Sequence, residues 1–267
     1  MNYEELMLRA ISEAEKYKYT AKPNPIVGAV VARGARVLGQ GFHRKPGEPH
    51  AEALALSQLN RRISGTTLYT TLEPCCHTGR TPPCVDEIVR CGVKRVVASV
   101  RDPNPNVKGG GFRRLRENGI RVDVGLLRNE AMHINAAFMK RARHGLPYVT
   151  LKAGMSLDGR IATRSGDSKW ITSNRLRKHA RMLRLENDGI VVGADTVMAD
   201  DPRLNRRPRS SETGEFWRVV LDSSLRLSTR SRLVKSLHKG PVLVICRQDA
   251  STDKRRRLLR AGIDVEA

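Results

Sequence analysis

The feature that most constrains this chain is a set of side chains at three element boundaries: His50-Ala51-Glu52, Pro74-Cys75 and Pro83-Cys84. Imidazole nitrogen and thiolate sulfur are the donors zinc prefers, and a catalytic zinc site uses three protein ligands with one position left for water. His50, Cys75 and Cys84 supply such a set. The fold must therefore bring together a helix opening near His50, the end of an apolar strand at 66–72, and a helix opening near Pro83. Glu52 stands two residues after the histidine, where it reaches bound water without ligating, takes up a proton and passes it to a leaving amine. At the start of its own helix, Cys84 is expected to gain thiolate character from the helix dipole. A closed structural site would need a fourth protein ligand, for which Cys76 and His77 are the candidates. Cys91 and Cys246 read as small buried hydrophobes.

Five cysteines, three of them between residues 75 and 84, suit a metal site in a reducing compartment better than a disulfide framework. The acidic, amphipathic start MNYEELMLRAISEAEKY has no secretory pattern, and no apolar run reaches the roughly 20 residues of a membrane span. A cytoplasmic location is expected. The net charge of +22 invites a nucleic-acid reading. The excess is even, however: residues 1–145 hold 24 basic and 13 acidic side chains, and residues 146–267 hold 25 and 14. A dedicated binding surface would concentrate it, so nucleic acid is not the expected partner. Such a field serves a phosphorylated small molecule equally well.

Periodicity predicts a helix over 3–19 capped by Asn2, a hairpin from Pro25 to Phe42 turning at Arg33-Gly34, and a helix from His50. It then predicts strands at 66–72, 93–100 and 120–124, with helices at 83–91, 110–118 and 128–143. Alternating strands and helices argue for a layered α/β domain with its sheet covered on both faces. A boundary is expected at His144-Gly145-Leu146-Pro147, after which the pattern restarts: strand 148–156, helix 173–186, strands 189–193, 217–222 and 241–246, and helix 252–261.

The arrangement follows the H-x-E…P-C-x-x-C signature of zinc nucleobase deaminases, except that eight residues separate Cys75 from Cys84. That insert, within Glu73-Pro74-Cys75-Cys76-His77-Thr78-Gly79-Arg80-Thr81-Pro82-Pro83-Cys84, resembles the bifunctional riboflavin biosynthesis deaminase–reductases. Asn24-Pro25, Val27-Gly28-Ala29-Val30-Val31 and Asp102-Pro103-Asn104-Pro105 match the same family. So do Leu151-Lys152-Ala153, Ser156-Leu157-Asp158-Gly159, Gly166 to Thr172 and Ala199 to Leu204 in the second half.

The resemblance implies a cytidine-deaminase-like three-layer domain over 1–145, followed by an α/β domain over 146–267 similar to dihydrofolate reductase. The first would hydrolyse the 2-amino group of 2,5-diamino-6-(5-phosphoribosylamino)pyrimidin-4(3H)-one, with Glu52 catalytic and zinc on His50, Cys75 and Cys84. The second would reduce the ribosyl side chain to ribityl with NADPH. Asn24 and Arg80 would hold the first substrate, with His43 and His77 nearby. In the second domain, Ser168, Arg184, Leu204 and Arg207 would hold substrate, with Lys152 beside them. Gly154, Trp170, Thr196, Asp200 and Ser223 would hold NADPH. Homo-oligomers are common among such enzymes. The family's glycine-rich Glu-Gly-Gly phosphate turn has no counterpart in 224–267, whose glycines are Gly240 and Gly262. The second domain is therefore expected to be incomplete, and its reductase impaired unless another chain completes it. Competing expectations are a deaminase-only protein of the same pathway, an RNA nucleobase deaminase, and a basic nucleic-acid-binding protein with a structural zinc.

Overall fold

The computed structural model describes residues 1–59, 64–105, 107, 109–206 and 214–267. It divides into two compact units, Met1–Thr150 and Leu151–Ala267.

The first unit is a five-stranded sheet of order β2-β1-β3-β4-β5. Its strands are β1 (Gly28–Arg33), β2 (Arg36–Phe42), β3 (Thr67–Leu72), β4 (Arg95–Val100) and β5 (Arg121–Val124). β1 is antiparallel to β2 and β3, whereas β3, β4 and β5 run parallel. Helix α1 (Tyr3–Glu15) covers one face, burying Leu6, Met7, Ala10 and Ile11 against Val30, Ala32, Tyr69 and Val97. It opens on a capping box in which Asn2 accepts from the Glu5 amide and Glu5 accepts from the Asn2 amide. On the other face, α2 (Ala51–Ser57), α3 (Cys84–Cys91) and α4 (Gly110–Glu117) pack Ala55, Leu56, Val85, Ile88 and Leu115 onto Ala29, Val31, Leu68 and Val96. Helix α2 lies almost in contact with β2. A Cβ at Gly39 or Gly41 would stand 2.3 or 2.2 Å from the carbonyl oxygens of Ala55 and Ala51, so only glycine admits the helix that carries Glu52.

The single helix expected over 128–143 is two, α5 (Arg128–Ile134) and α6 (Ala136–His144), broken at Asn135. The buried Asn135 amide accepts from the Ile26 N–H and donates to the Ile26 carbonyl, both at 2.7 Å. That tie to a residue distant in sequence overrides the helical periodicity.

In the second unit, β6 (Gly189–Gly193), β7 (Trp217–Leu221), β8 (Val242–Ile245) and β9 (Asp264–Glu266) form a parallel sheet in sequence order. Helices α7 (Asn174–Glu186), α8 (Ala194–Asp200) and α9 (Thr252–Arg260) and a 3₁₀ turn at Val234–Lys239 accompany it. The core lies on one face, around Val220, Val242, Val244, Leu233 and Leu258. The expected strand at 148–156 does not form: this segment has no regular structure, and Leu151 is 94% exposed. An apolar run specifies burial but not a lateral partner, and a strand exists only when a neighbour takes up its N–H and C=O groups. Helix α8 escaped the periodicity reading because one short helix shows little of its face.

Arg218 on β7 is fully buried. Its guanidinium donates to the carbonyls of Arg203, Leu233, Ser236 and Gly240 and to the Ser236 hydroxyl, tying the loops around β7 together. Truncation strands several buried acceptors, each costing about 1–3 kcal/mol. Arg218→Met is expected to destabilise the second unit by about 3 kcal/mol or more, read as a lower denaturant midpoint.

Candidate metal centre

His50 is the N-cap of α2, Cys75 follows the end of β3 across Pro74, and Cys84 is the first residue of α3. One ligand atom from each of the three falls within 4.8 Å of the others, the one such group of its kind among the described residues. The His50 Nδ1 lies 3.2 Å from Cys84 Sγ and 3.5 Å from Cys75 Sγ. The other ring nitrogen, Nε2, lies 3.3 Å from the Thr81 hydroxyl. Nδ1 therefore faces the sulfurs, and Thr81 supports the ring from behind, as outer partners of metal-binding histidines do. Thr81 was not singled out by the sequence reading, because its role depends on how the insert folds back.

The two thiols are not equivalent. The Cys84 backbone N–H, at the start of α3, donates to Cys75 Sγ at 3.3 Å. The hydrogen bond from the Cys84 thiol, helped by His50, pulls the Cys75 thiol down to about 4, whereas that same thiol–thiol bond and burial push Cys84 well above the usual thiol range. Besides the expected effect of the helix start on Cys84, its first amide thus acts on Cys75. Two soft sulfurs, one carrying thiolate character, and an imidazole nitrogen fit a zinc ion in donor type and proximity. Cys76 and His77 are outside this group; Cys76 turns toward Gly110, and His77 is exposed.

Glu52, in the first turn of α2, is buried. Burial raises its affinity for a proton, and the Thr70 hydroxyl lies 2.9 Å from its Oε1. Above the cluster opens a cavity of about 500 Å³, lined by His50, Glu52, Asn24, His43, Arg80 and Asp102 among others. Within it, His43 Nδ1 meets the Pro49 carbonyl at 3.3 Å, which only accepts, so Nδ1 carries the hydrogen. His43 Nε2 then accepts from the Asn24 amide nitrogen at 2.9 Å. The burial that lowers the His43 pKa agrees with this neutral form. His43 consequently orients Asn24, which lines the cavity. Arg80 and His77 are exposed at the rim.

Asp102 lines the same cavity, and burial pushes its carboxyl up to about 6, with Glu73 adding to the rise. A carboxyl that binds its proton more tightly when folded contributes stability that is complete below its ordinary value of 3.8 and is lost as pH rises through about 6. Asp102→Asn should therefore raise the melting temperature at about pH 8, with the gain vanishing near pH 4, in paired thermal unfolding scans.

In the second unit, Thr196 follows β6 and Ser223 follows β7, at the carboxyl ends of adjacent parallel strands, where open α/β sheets bind ligands. Arg184 donates to the Asn205 carbonyl at 3.0 Å, beside the buried Leu204. Ser168, Trp170 and Asp200 are exposed, and Gly154 lies in the irregular segment within contact distance of Lys152 and Thr172. Arg207 lies outside the described residues.

Residues 1–100 match the zinc-binding region of cytidine and deoxycytidylate deaminases, and residues 147–266 match the RibD C-terminal domain. The riboflavin biosynthesis protein RibD of Aquifex aeolicus is 43% identical over 97% of this chain and 72% of its own length. That of Escherichia coli is 44% identical over 88% of this chain and 67% of its own length. The chain belongs to the RibD family. A solved RibD of Acinetobacter baumannii superposes with a TM-score of 0.84 at 39% identity, over 99% of this chain and 73% of that one. The Thermotoga maritima deaminase/reductase gives a TM-score of 0.83 at 37% identity, with the same coverage. The chain thus combines a zinc-dependent deaminase with an NADPH-dependent reductase domain of riboflavin biosynthesis. No helix among the described residues is long and apolar enough to cross a membrane.

Proposed function

We propose that the first unit removes the 2-amino group of 2,5-diamino-6-(5-phosphoribosylamino)pyrimidin-4(3H)-one, in line with the Thermotoga maritima relative, a diaminohydroxyphosphoribosylaminopyrimidine deaminase and 5-amino-6-(5-phosphoribosylamino)uracil reductase. The observation that carries this reading is a buried Glu52, held by the Thr70 hydroxyl, beside a His50–Cys75–Cys84 cluster at the floor of a cavity of about 500 Å³. A zinc ion held there supplies a Lewis acid that makes hydroxide available at neutral pH. Glu52 takes up the proton released at the cluster, on Oε2, while Thr70 supports Oε1. It passes that proton to the ring nitrogen, then takes the second proton from the added hydroxyl and hands it to the departing amine. Asn24, oriented by His43, accepts from the pyrimidine edge. Arg80, at the rim, meets the phosphate.

In the second unit, Thr196 and Ser223, with Gly154, Trp170 and Asp200, form the NADPH side of the reductase, and Ser168, Arg184, Leu204 and Arg207 form the substrate side. The placement of Thr196 and Ser223 at strand ends supports this division. The nicotinamide, when bound, supplies the hydride that reduces the ribosyl carbon. The deaminase part spans 1–145 and the reductase part 146–267. The enzyme works in the cytoplasm, self-associates and has no nucleic-acid partner, in keeping with its evenly spread charge.

The test is ammonia release by the zinc-loaded chain from the diaminopyrimidinone ribose phosphate. One ammonia per uracil product is expected. Zinc-loaded protein that releases none contradicts the reading.

A further inference from the structure

Glu73 is buried at the end of β3, two residues before the ligand Cys75, and its carboxylate accepts three backbone amides. Oε2 takes the N–H of Asp102 at 3.2 Å and of Gly109 at 3.0 Å, and Oε1 takes the N–H of Phe112 at 3.1 Å. The Asp102 amide opens the loop after β4, and the Gly109 and Phe112 amides belong to the start of α4. One carboxylate therefore clamps both ends of the loop whose Asp102, Asn104 and Val107 form a wall of the substrate cavity. Gly109 has no side chain to cap α4, so the cap comes from Glu73 on another element. The wall also leans on the ligand segment: a Cβ at Gly111 would stand 2.0 Å from the Pro74 carbonyl oxygen.

We infer that Glu73 is a positioning residue for substrate affinity, holding Asp102 and Asn104 against the bound pyrimidine phosphate. This rests on the deaminase reading above. The metal-ligand set and Glu52 are carried on α2, the end of β3 and α3, not on the clamped loop. Loosening the loop therefore weakens binding before it touches the chemistry. A glutamine has the right size but carries one NH₂, which opposes a backbone N–H and breaks one side of the clamp.

The experiment compares wild type, Glu73→Gln and Glu73→Asp, each zinc-loaded, in steady-state kinetics, zinc content and amide hydrogen exchange. For Glu73→Gln the expected result is a KM raised about tenfold with kcat within about threefold. Zinc content should be unchanged, and the Asp102, Gly109 and Phe112 amides should lose protection together. Glu73→Asp, which keeps the charge, recovers part of the affinity. Unchanged KM, a fall in kcat alone, or undisturbed exchange at the three amides overturns the inference. Should Glu73→Gln not fold with zinc, Glu73→Asp decides by the same split; failure of both to fold assigns Glu73 to the fold alone and overturns it. Wild type that releases no ammonia defeats the deaminase reading instead, while the exchange comparison still decides the clamp.

Discussion

Glu52→Gln is expected to release ammonia on the order of 10²–10⁴ times more slowly than wild type while keeping its zinc and its fold. The reason lies in what the substitution leaves alone. Glutamine keeps an oxygen for the Thr70 hydroxyl and fills the volume that Glu52 occupies, so the buried position is not emptied. It removes only the ability to hold a proton. Burial raises the proton affinity of the Glu52 carboxyl, which suits a group that collects a proton in one step and delivers it in the next. Zinc content by elemental analysis, with kcat for ammonia release, separates this loss from a loss of metal. A Glu52→Gln variant within about threefold of wild type would remove Glu52 from the proton path.

The second large effect concerns the cluster itself. Cys75→Ala is expected to drop bound zinc from about one per chain to near none, taking ammonia release below detection. Cys75 is the more telling of the two sulfurs because its thiol is held down to about 4, by Cys84 first and also by His50. It also faces both other members of the cluster, 3.5 Å from His50 Nδ1 and 3.3 Å from the Cys84 amide nitrogen. Removing it also frees the Cys84 amide at the start of α3 and the His50 Nδ1 from their shared partner. Thr81→Val, by contrast, leaves all three ligands and loosens only the ring of His50, so its zinc loss should be the smaller. Equal zinc in Cys75→Ala and wild type would contradict the assignment.

The parts of this molecule that were legible in the sequence are those set by neighbouring residues. The capped first helix, the hairpin at Arg33-Gly34 and the alternation through Val124 all follow from local periodicity and turn chemistry. The candidate metal cluster was legible because His50, Cys75 and Cys84 combine unusual residue types with element boundaries. What escaped depends on partners remote in the chain. Asn135 breaks a helix because Ile26 is waiting for its amide. Thr81 matters only once the insert brings it behind His50. Glu73 reads in sequence as one acid before Pro-Cys, yet three amides from 102–112 converge on it. Arg218 reads as one more basic residue among 49, and its carbonyl cage appears only in three dimensions. The apolar stretch 148–156 shows the converse, since it has strand composition without a described strand beside it.

Everything proposed for the first unit depends on one divalent ion sharing His50, Cys75 and Cys84 with a single open position. X-ray absorption at the zinc edge of the metal-loaded chain tests this most directly. The predicted first shell holds two sulfurs, one imidazole nitrogen and one oxygen from water. A third sulfur, which Cys76 would have to supply, or a second imidazole in place of the oxygen, would show a closed structural site and contradict the account.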